Sequence, residues 1–385
     1  MGKKVFVGMS GGVDSSVSAL LLKEQGYDVT GVYMKNWSRD LPGMKCPWAE
    51  DLADAKRVAV KLGIPFEVWD FEDAYRKKVV EYMLDEFKKG NTPNPDVMCN
   101  QEIKFKLFFE KAMERGADFI ATGHYARVGQ VTETHFSRAA SPRPVATGEA
   151  HSSSPCQAPE ALRKGVSVTP QLLRAVDENK DQTYFLYRIS DEALKHTLFP
   201  IGEMLKPDVK KLAEEKGLHN AYKKESMGVC FVGEVGMKDF LKEYIDIKPG
   251  EIREIESEKV LGYHEGAVFY TIGQRHGLYL SGVAGEVNDG LPYYVVDKNL
   301  DKNIVYVSKN LNDSHIWTKE LKLRDVFLRA NASDVLVRLR HRAPLLPARF
   351  DGESLVFEKE IKRPASGQSA VLYDGEVCLG GGIIA

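Results

Sequence analysis

The chain is poor in cysteine, and its cysteines form no pattern. Cys46, Cys99, Cys156, Cys230 and Cys378 are five among 385 residues, an odd number, widely scattered and without a C-x-x-C pair. That excludes a disulfide framework and a zinc ribbon, and it points to a reducing compartment, the cytosol. Long apolar runs are missing as well: none approaches the roughly 18 residues of a membrane span, so no membrane partner is expected. Met1-Gly2-Lys3-Lys4 leads into a short apolar stretch ending at a glycine loop, which argues against a secretory signal. An excess of charge is also lacking, since 53 basic and 55 acidic side chains leave a formal charge of −2. Any nucleic-acid partner must therefore be met by a local basic surface. No internal repeat is evident. What is present is apolar material, 43% of 385 residues, enough for a sizeable core divided between two or three domains.

The first part of the chain alternates strand-like and helix-like segments. Val5 to Met9 reads as a buried strand, Ser15 to Gln25 as a helix closed by Gly26, and Val29 to Met34 as the next strand. Asp51 to Leu62 and Glu72 to Lys89 are helical and flank a strand at Phe66 to Phe71. A helix from Asn100 to Arg115 precedes the strand Asp118 to Thr122. This alternation predicts an α/β fold, a doubly wound, Rossmann-like parallel sheet. Residues 129–170 are rich in Ser, Pro, Ala and His and read as a mobile insertion. The domains expected are 1–195 (catalytic, nucleotide-binding), 196–262 (a small mixed or helical unit) and 263–385. In the last, short strands such as Ala267–Ile272, Tyr293–Val296, Ile304–Val307, Val335–Leu339, Ser354–Phe357 and Ser369–Tyr373 suggest a small β-barrel.

Between the first strand and the first helix lies GMSGGVDSS, Gly8 to Ser16. Successive backbone N–H groups in a glycine turn, followed by the positive end of a helix, form an anion site, and a nucleoside triphosphate is its natural guest. The loop has neither the G-x-x-x-x-G-K-[ST] pattern, for it contains no lysine, nor G-x-G-x-x-G, because Gly11 and Gly12 are adjacent. Ser10-Gly11-Gly12-Val13-Asp14-Ser15 instead resembles the SGGxDS loop of the PP-loop ATP pyrophosphatases. That resemblance implies cleavage between the α- and β-phosphates, with Asp14 serving a magnesium ion that arrives with ATP. Such a cut adenylates a substrate oxygen and prepares it for displacement by a nucleophile.

Two cysteines are candidate nucleophiles. Cys99 follows Thr92-Pro93-Asn94-Pro95-Asp96, a turn, with Asn100 expected to cap the next helix; a thiol at that helix N-terminus would be biased toward thiolate. Cys230 lies in Gly228-Val229-Cys230-Phe231-Val232-Gly233, where glycines on both sides suit a loop that changes conformation. Neither neighbourhood offers the further ligands of a zinc site. Arg338, Arg340 and Arg342 alternate and are expected to present three guanidinium groups on one strand face, suited to phosphates.

Further motifs make the resemblance specific. With the loop they include Met34-Lys35-Asn36-Trp37, Gly90-Asn91-Thr92-Pro93-Asn94-Pro95-Asp96 with Cys99-Asn100, and Ala121-Thr122-Gly123-His124-Tyr125-Ala126-Arg127. Lys180-Asp181-Gln182-Thr183-Tyr184-Phe185-Leu186, Gly228 to Glu234, and Tyr270-Thr271-Ile272-Gly273-Gln274-Arg275 complete the set. The chain resembles the tRNA-specific 2-thiouridylases of the MnmA/TrmU family over nearly its whole length apart from 129–170. The resemblance implies that ATP is held by Gly8, Met9, Ser10, Gly11, Gly12, Val13, Asp14, Ser15, Met34 and Gly123. It implies that the wobble uridine, in the anticodon region, is flipped against Asn94, Pro95 and Asp96, with Asp96 a general acid or base. Further tRNA contacts fall on His124, Lys180, Asp181, Gln182, Arg340, His341 and Gln368. Cys230 would accept sulfur as a persulfide from a relay protein or a cysteine desulfurase, and Cys99 would resolve it through a transient Cys99–Cys230 disulfide. His341 and Ser366 stand where the family usually has an aromatic residue and a proline. Two other classes share parts of this signature: another adenylating PP-loop synthase acting on a small substrate, and a noncatalytic RNA-binding protein.

Overall fold

Strand β1 (Lys4–Gly8) is apolar on both faces: Val5, Phe6 and Val7 are at most 1% exposed, as a central strand covered by helices on each side requires. The computed structural model describes residues 2–40, 48–131, 169–224, 237–278, 280, 291–310 and 315–385. On one side β1 pairs in parallel with β2 (Asp28–Lys35), which pairs in parallel with β3 (Phe66–Asp70). On the other side it pairs in parallel with β4 (Phe119–Thr122). The next two strands, β5 (Ala126–Val131) and β6 (Thr169–Arg174), leave this sheet, and β7 (Thr197–Leu198) rejoins it beside β4. The order β3-β2-β1-β4-β7 reverses direction between β1 and β4. The crevice beyond the carboxyl ends of those two strands is where such sheets bind ligands. Val5 and Val7 pack with Leu20, Val29 and Val58 on one face, and Phe6 packs with Val32, Trp69 and Ile120 on the other.

The helix Val13–Glu24 opens directly from the glycine loop, buries Val13, Val17 and Leu20, and stops at Gln25 and Gly26, whose φ of 83° ends it in the left-handed region. A second helical rod runs through Pro95–Cys99, Asn100–Leu107 and Phe108–Glu114, with a kink at Phe105. It begins one turn earlier than the sequence pattern places it. Asn94, not Asn100, is the extended residue before the helix, and Asn100 is itself helical (φ −64°, ψ −49°). Pro95 starts the rod because a first-turn position forfeits no hydrogen bond and the ring pre-sets φ.

The middle of the chain carries helices Lys206–Glu215 and Met237–Lys242 and then a four-stranded sheet. Strands β8 (Gly250–Glu254), β9 (Val260–His264), β10 (Tyr294–Asn299) and β11 (Ile304–Ser308) pair in the order β10-β11-β8-β9 around Ile252, Val295 and Val305. The strand expected at Ala267–Ile272 is a short 3₁₀ turn over Ala267–Phe269. Beyond it, β12 (Trp317–Leu328), β13 (Asp334–Arg338), β14 (Leu346–Phe350), β15 (Ser354–Lys362), β16 (Ser369–Asp374) and β17 (Val377–Ile384) pair antiparallel in the order β12-β15-β14-β13-β16-β17 and close through β12–β17 into a barrel.

Hairpin β5–β6 belongs to the barrel side. β6 pairs with β17 through Val377↔Leu173 and Cys378↔Leu172, so the stretch after β4 stitches the barrel to the parallel sheet. Val371, Tyr373 and Cys378 of the barrel accordingly share one hydrophobic core with Phe6, Trp69 and Cys99. The proposed insertion spans the tip of this hairpin, and its residues 132–168 lie outside the described residues.

Candidate active site and nucleic-acid interface

The glycine loop sits at the switch point. Gly8 ends β1 opposite Thr122 of β4, and Met9 N–H donates to the Val32 carbonyl at 2.8 Å, fixing where the chain turns away from the sheet. The hydroxyls then fold inward: Ser10 N–H donates to Ser15 Oγ at 3.2 Å, Ser15 Oγ donates to the Gly12 carbonyl at 3.2 Å, and Ser16 Oγ donates to the same carbonyl at 2.8 Å. Gly11 adopts φ 79°, and a Cβ there would lie 2.4 Å from the Asp51 carbonyl oxygen. Gly123 is equally constrained, for its Cβ would fall 2.5 Å from Ser15 N and 2.7 Å from the Asp14 carbonyl carbon. Met34 closes the other flank, its Cε 2.8 Å from where a Gly8 Cβ would stand. Met34 and Gly123, two residues expected at the ATP site, thus pack directly against the Gly8–Ser15 loop.

Asp14 is the charged member of the loop. Its Oδ1 accepts from Tyr125 Oη at 2.9 Å, and both carboxylate oxygens lie 2.7 Å from Lys206 Nζ. Tyr125 N–H in turn donates to Gln182 Oε1 at 2.9 Å, and Gln182 N–H donates to the Tyr125 carbonyl at 2.9 Å. Gln182 therefore holds the tyrosine that holds Asp14.

The strand end carrying Gly123 leads to the second half of the site. His124 is 9% exposed, pairs through Nδ1 with Thr122 Oγ1 at 2.8 Å and sits among Phe105 and Phe199. Burial, then the Lys104 cation, hold it well below its ordinary pKa, so it is neutral. Lys104 Nζ is 3.5 Å from His124 Nε2. The same lysine acts on Asp96, whose carboxyl is pushed up by burial and pulled back by Lys104. A carboxyl raised this way keeps its proton to higher pH than a free aspartic acid, the direction a general acid requires.

Cys99 is 4% exposed and packed in the shared core. It ends the first full turn of the rod rather than lying at a helix N-cap, so the dipole argument for its activation weakens, because that field fades within the first turn. Cys230 lies outside the described residues. Cys378 is fully buried, and burial pushes its thiol up to about 12, which makes it inert.

The barrel closes over the loop before Asp96. Thr92 N–H donates to the Ser366 carbonyl at 2.7 Å, and Gln368 Nε2 donates to the Thr92 carbonyl at 2.8 Å. Asn94 hydrogen-bonds Tyr184, whose hydroxyl donates to the Ser369 carbonyl at 3.0 Å. His341 packs against Phe185 with ring centroids 4.6 Å apart and planes tilted by 44°, and burial, then Arg342, lower it to about 4. Asn94 and Arg340 also act on Tyr184, and Lys180 on His341, so these residues neighbour one another.

Asp181 does not join them at the surface. Its side chain is 0% exposed, accepts from Thr183 Oγ1 at 2.9 Å and Ala175 N–H at 3.2 Å, and binds Arg338 Nη1 at 2.7 Å. Arg338 points inward, only 5% exposed. The three-arginine face is therefore corrected: β13 ends at Arg338, and Arg340 and Arg342 follow in a turn in which Arg342 takes φ 62°. Strand alternation cannot hold across a turn.

Sequence reasoning passed over Lys104, Tyr125 and Lys206. Tyr125 stands inside a motif given above, but neither it nor Lys104 or Lys206 carries a local signal of what it touches.

A glycine loop at the switch point of a parallel sheet, with a barrel packed against the neighbouring segment before Asp96, defines a PP-loop nucleotide-binding protein with appended β domains. Family models described as the tRNA methyl transferase HUP domain, its PRC-barrel domain and the aminomethyltransferase beta-barrel domain match residues 3–234, 238–309 and 313–384. The chain is 43% identical to a tRNA-specific 2-thiouridylase MnmA of Lactiplantibacillus plantarum, covering 99% of this chain and 95% of that one. It is 44% identical to the protein of that name from Idiomarina loihiensis (99% and 96%) and 42% identical to that of Staphylococcus saprophyticus (99% and 95%). The chain belongs to the MnmA family of tRNA-specific 2-thiouridylases.

Proposed function

We propose that this protein is an ATP-dependent tRNA-uridine 2-sulfurtransferase. The uridine O2 attacks the α-phosphorus of ATP and pyrophosphate leaves. Sulfur carried by Cys230 then attacks C2, and the original oxygen departs with AMP. Cys99 thiolate attacks the Cys230 sulfur, breaking the sulfur–sulfur bond and freeing the thiocarbonyl; the resulting Cys99–Cys230 disulfide takes two electrons from an external dithiol. Sulfur reaches Cys230 from a relay protein or a cysteine desulfurase.

The observation that supports this most is the continuity from the phosphate loop to Asp96. Gly123 backs onto Asp14 and Ser15, His124 follows it, and Lys104 links His124 electrostatically to the raised carboxyl of Asp96. An adenylating loop and an acid–base group thus share one neighbourhood, where a base flipped from its stack would meet both. The family models' wording, tRNA methyl transferase, names a chemistry in which a triphosphate site with an acidic residue has no part.

Asp14 offers one carboxylate to a magnesium ion arriving with ATP, a ligand type suited to that cation; among the described residues no cluster of three or more metal-ligating side chains exists. The bound cation would neutralise phosphate charge. We assign RNA-facing roles to Asn94, Lys180, Arg340, His341 and Gln368, and positioning roles to Pro95, His124, Asp181 and Gln182, which are turned into the protein. The catalytic unit is proposed as 1–195, with the β units following. Among the described residues no helix is long and apolar enough to cross a membrane; action on tRNA fits a cytoplasmic location.

The test is incubation with ATP, magnesium, a persulfide donor and unmodified tRNA. Pyrophosphate release with formation of 2-thiouridine supports the proposal. Cys230→Ser should release pyrophosphate and make no thiouridine; normal thiolation by that variant contradicts the sulfur-carrier role.

A further inference from the structure

The stretch from Ile201 to Lys224 returns to the nucleotide loop at two points. Asn220, 2% exposed, donates to the Gly11 carbonyl and to Ser16 Oγ, both at 2.9 Å. Lys206, its side chain 8% exposed, is anchored by its own backbone N–H on Asp177 Oδ2 at 2.9 Å and extends Nζ to Asp14. The ammonium also lies 5.7 Å from the Tyr125 ring centroid. Tyr125 and Asp177 thus aim this cation at the loop from outside it.

The loop itself, Gly8 to Ser16, contains no basic residue. Phosphate loops of the G-K-[ST] type carry their own lysine to the β- and γ-phosphates, and a departing pyrophosphate needs a preorganised positive group where its charge develops. We propose that Lys206 is that group, supplied from a later helix. Without nucleotide its ammonium rests on Asp14. When ATP arrives with a divalent cation, the metal takes the Asp14 carboxylate and Nζ transfers to the pyrophosphate oxygens. The exchange leaves the buried Lys206 ammonium paired throughout: Asp14, partly exposed, trades one cation for another, and Lys206 trades one anion for another. It rests on the reading that this loop splits ATP between the α- and β-phosphates.

The probe is inorganic pyrophosphate, titrated calorimetrically into the full chain with and without magnesium. Lys206→Met should weaken pyrophosphate binding in magnesium by about ten- to hundredfold, the range for one charge-assisted hydrogen bond. The same variant should half-saturate at lower free magnesium than wild type, because nothing competes for Asp14. Lys206→Arg should retain most of the affinity. If Lys206→Met fails to fold, Asp14→Asn gives the second reading: with its lysine released, it should bind metal-free pyrophosphate more tightly than wild type. Pyrophosphate affinity within twofold of wild type in Lys206→Met, or no gain in Asp14→Asn, overturns the proposal. Failure of wild type to release pyrophosphate with tRNA would overturn the underlying reading instead, a separate result.

Discussion

Asp181→Asn separates an internal hub from an RNA contact. The Asp181 carboxylate is fully buried against Arg338, itself 5% exposed, and also receives Thr183 Oγ1 and the Ala175 and Thr183 N–H groups. Asparagine keeps an acceptor for the neutral donors, worth about 1 kcal/mol each, but removes the charge facing Arg338. A buried ion left without its partner costs about 3–5 kcal/mol, and that cost should dominate. The assay is urea unfolding followed by tryptophan fluorescence, with tRNA affinity measured in parallel on the folded protein. Asp181→Leu combined with Arg338→Met should recover most of the loss, because replacing a buried pair with apolar groups of similar volume is often neutral. Stability within 1 kcal/mol of wild type (roughly, on the scale of a neutral hydrogen bond), together with a large drop in tRNA affinity, would refute the reasoning.

Other outcomes follow from the same geometry. Gly123→Ala drives a methyl to within 2.5 Å of Ser15 N, and displacement of the loop should lower kcat/KM for ATP by about a hundredfold, read from pyrophosphate release. Asp96→Asn should slow thiolation by about 10²–10⁴-fold. Because burial raises the Asp96 carboxyl, the folded form holds this proton more tightly than the unfolded chain. Its contribution to stability is complete below the unfolded pKa and is lost as pH rises through the folded one, so Asp96→Asn should be the more stable protein on the alkaline side. His341, lowered from 6.5 to about 4 by burial and Arg342, is neutral at physiological pH. Its contribution to stability declines as pH falls from 6.5 toward 4, and His341→Phe should remove that slope from pH-dependent unfolding.

Much of the architecture was legible because its signals are local. Continuous apolar runs bounded by glycine marked β1 and β2, and the loop between β1 and its helix announced both a turn and an anion site. Pairings between distant segments were not legible. Nothing in Ala126–Val131 or Thr169–Arg174 says that this hairpin will bond to β17, and nothing in Lys206 says that it will find Asp14. Arg338 misled for a related reason: alternation with Arg340 and Arg342 looked like an exposed face, whereas the strand ends at Arg338 and Asp181 draws that side chain inward. Asn100 misled because a proline five residues earlier opens the helix that an asparagine was expected to cap.

The central claim is that the uridine oxygen is activated by AMP before sulfur replaces it. Unmodified tRNA labelled with ¹⁸O at the uridine O2, turned over with ATP and a persulfide donor, tests it directly. The label should leave in the phosphate of AMP, one atom for each 2-thiouridine formed. Label recovered in inorganic phosphate beside ADP, or in water with AMP unlabelled, would contradict the account.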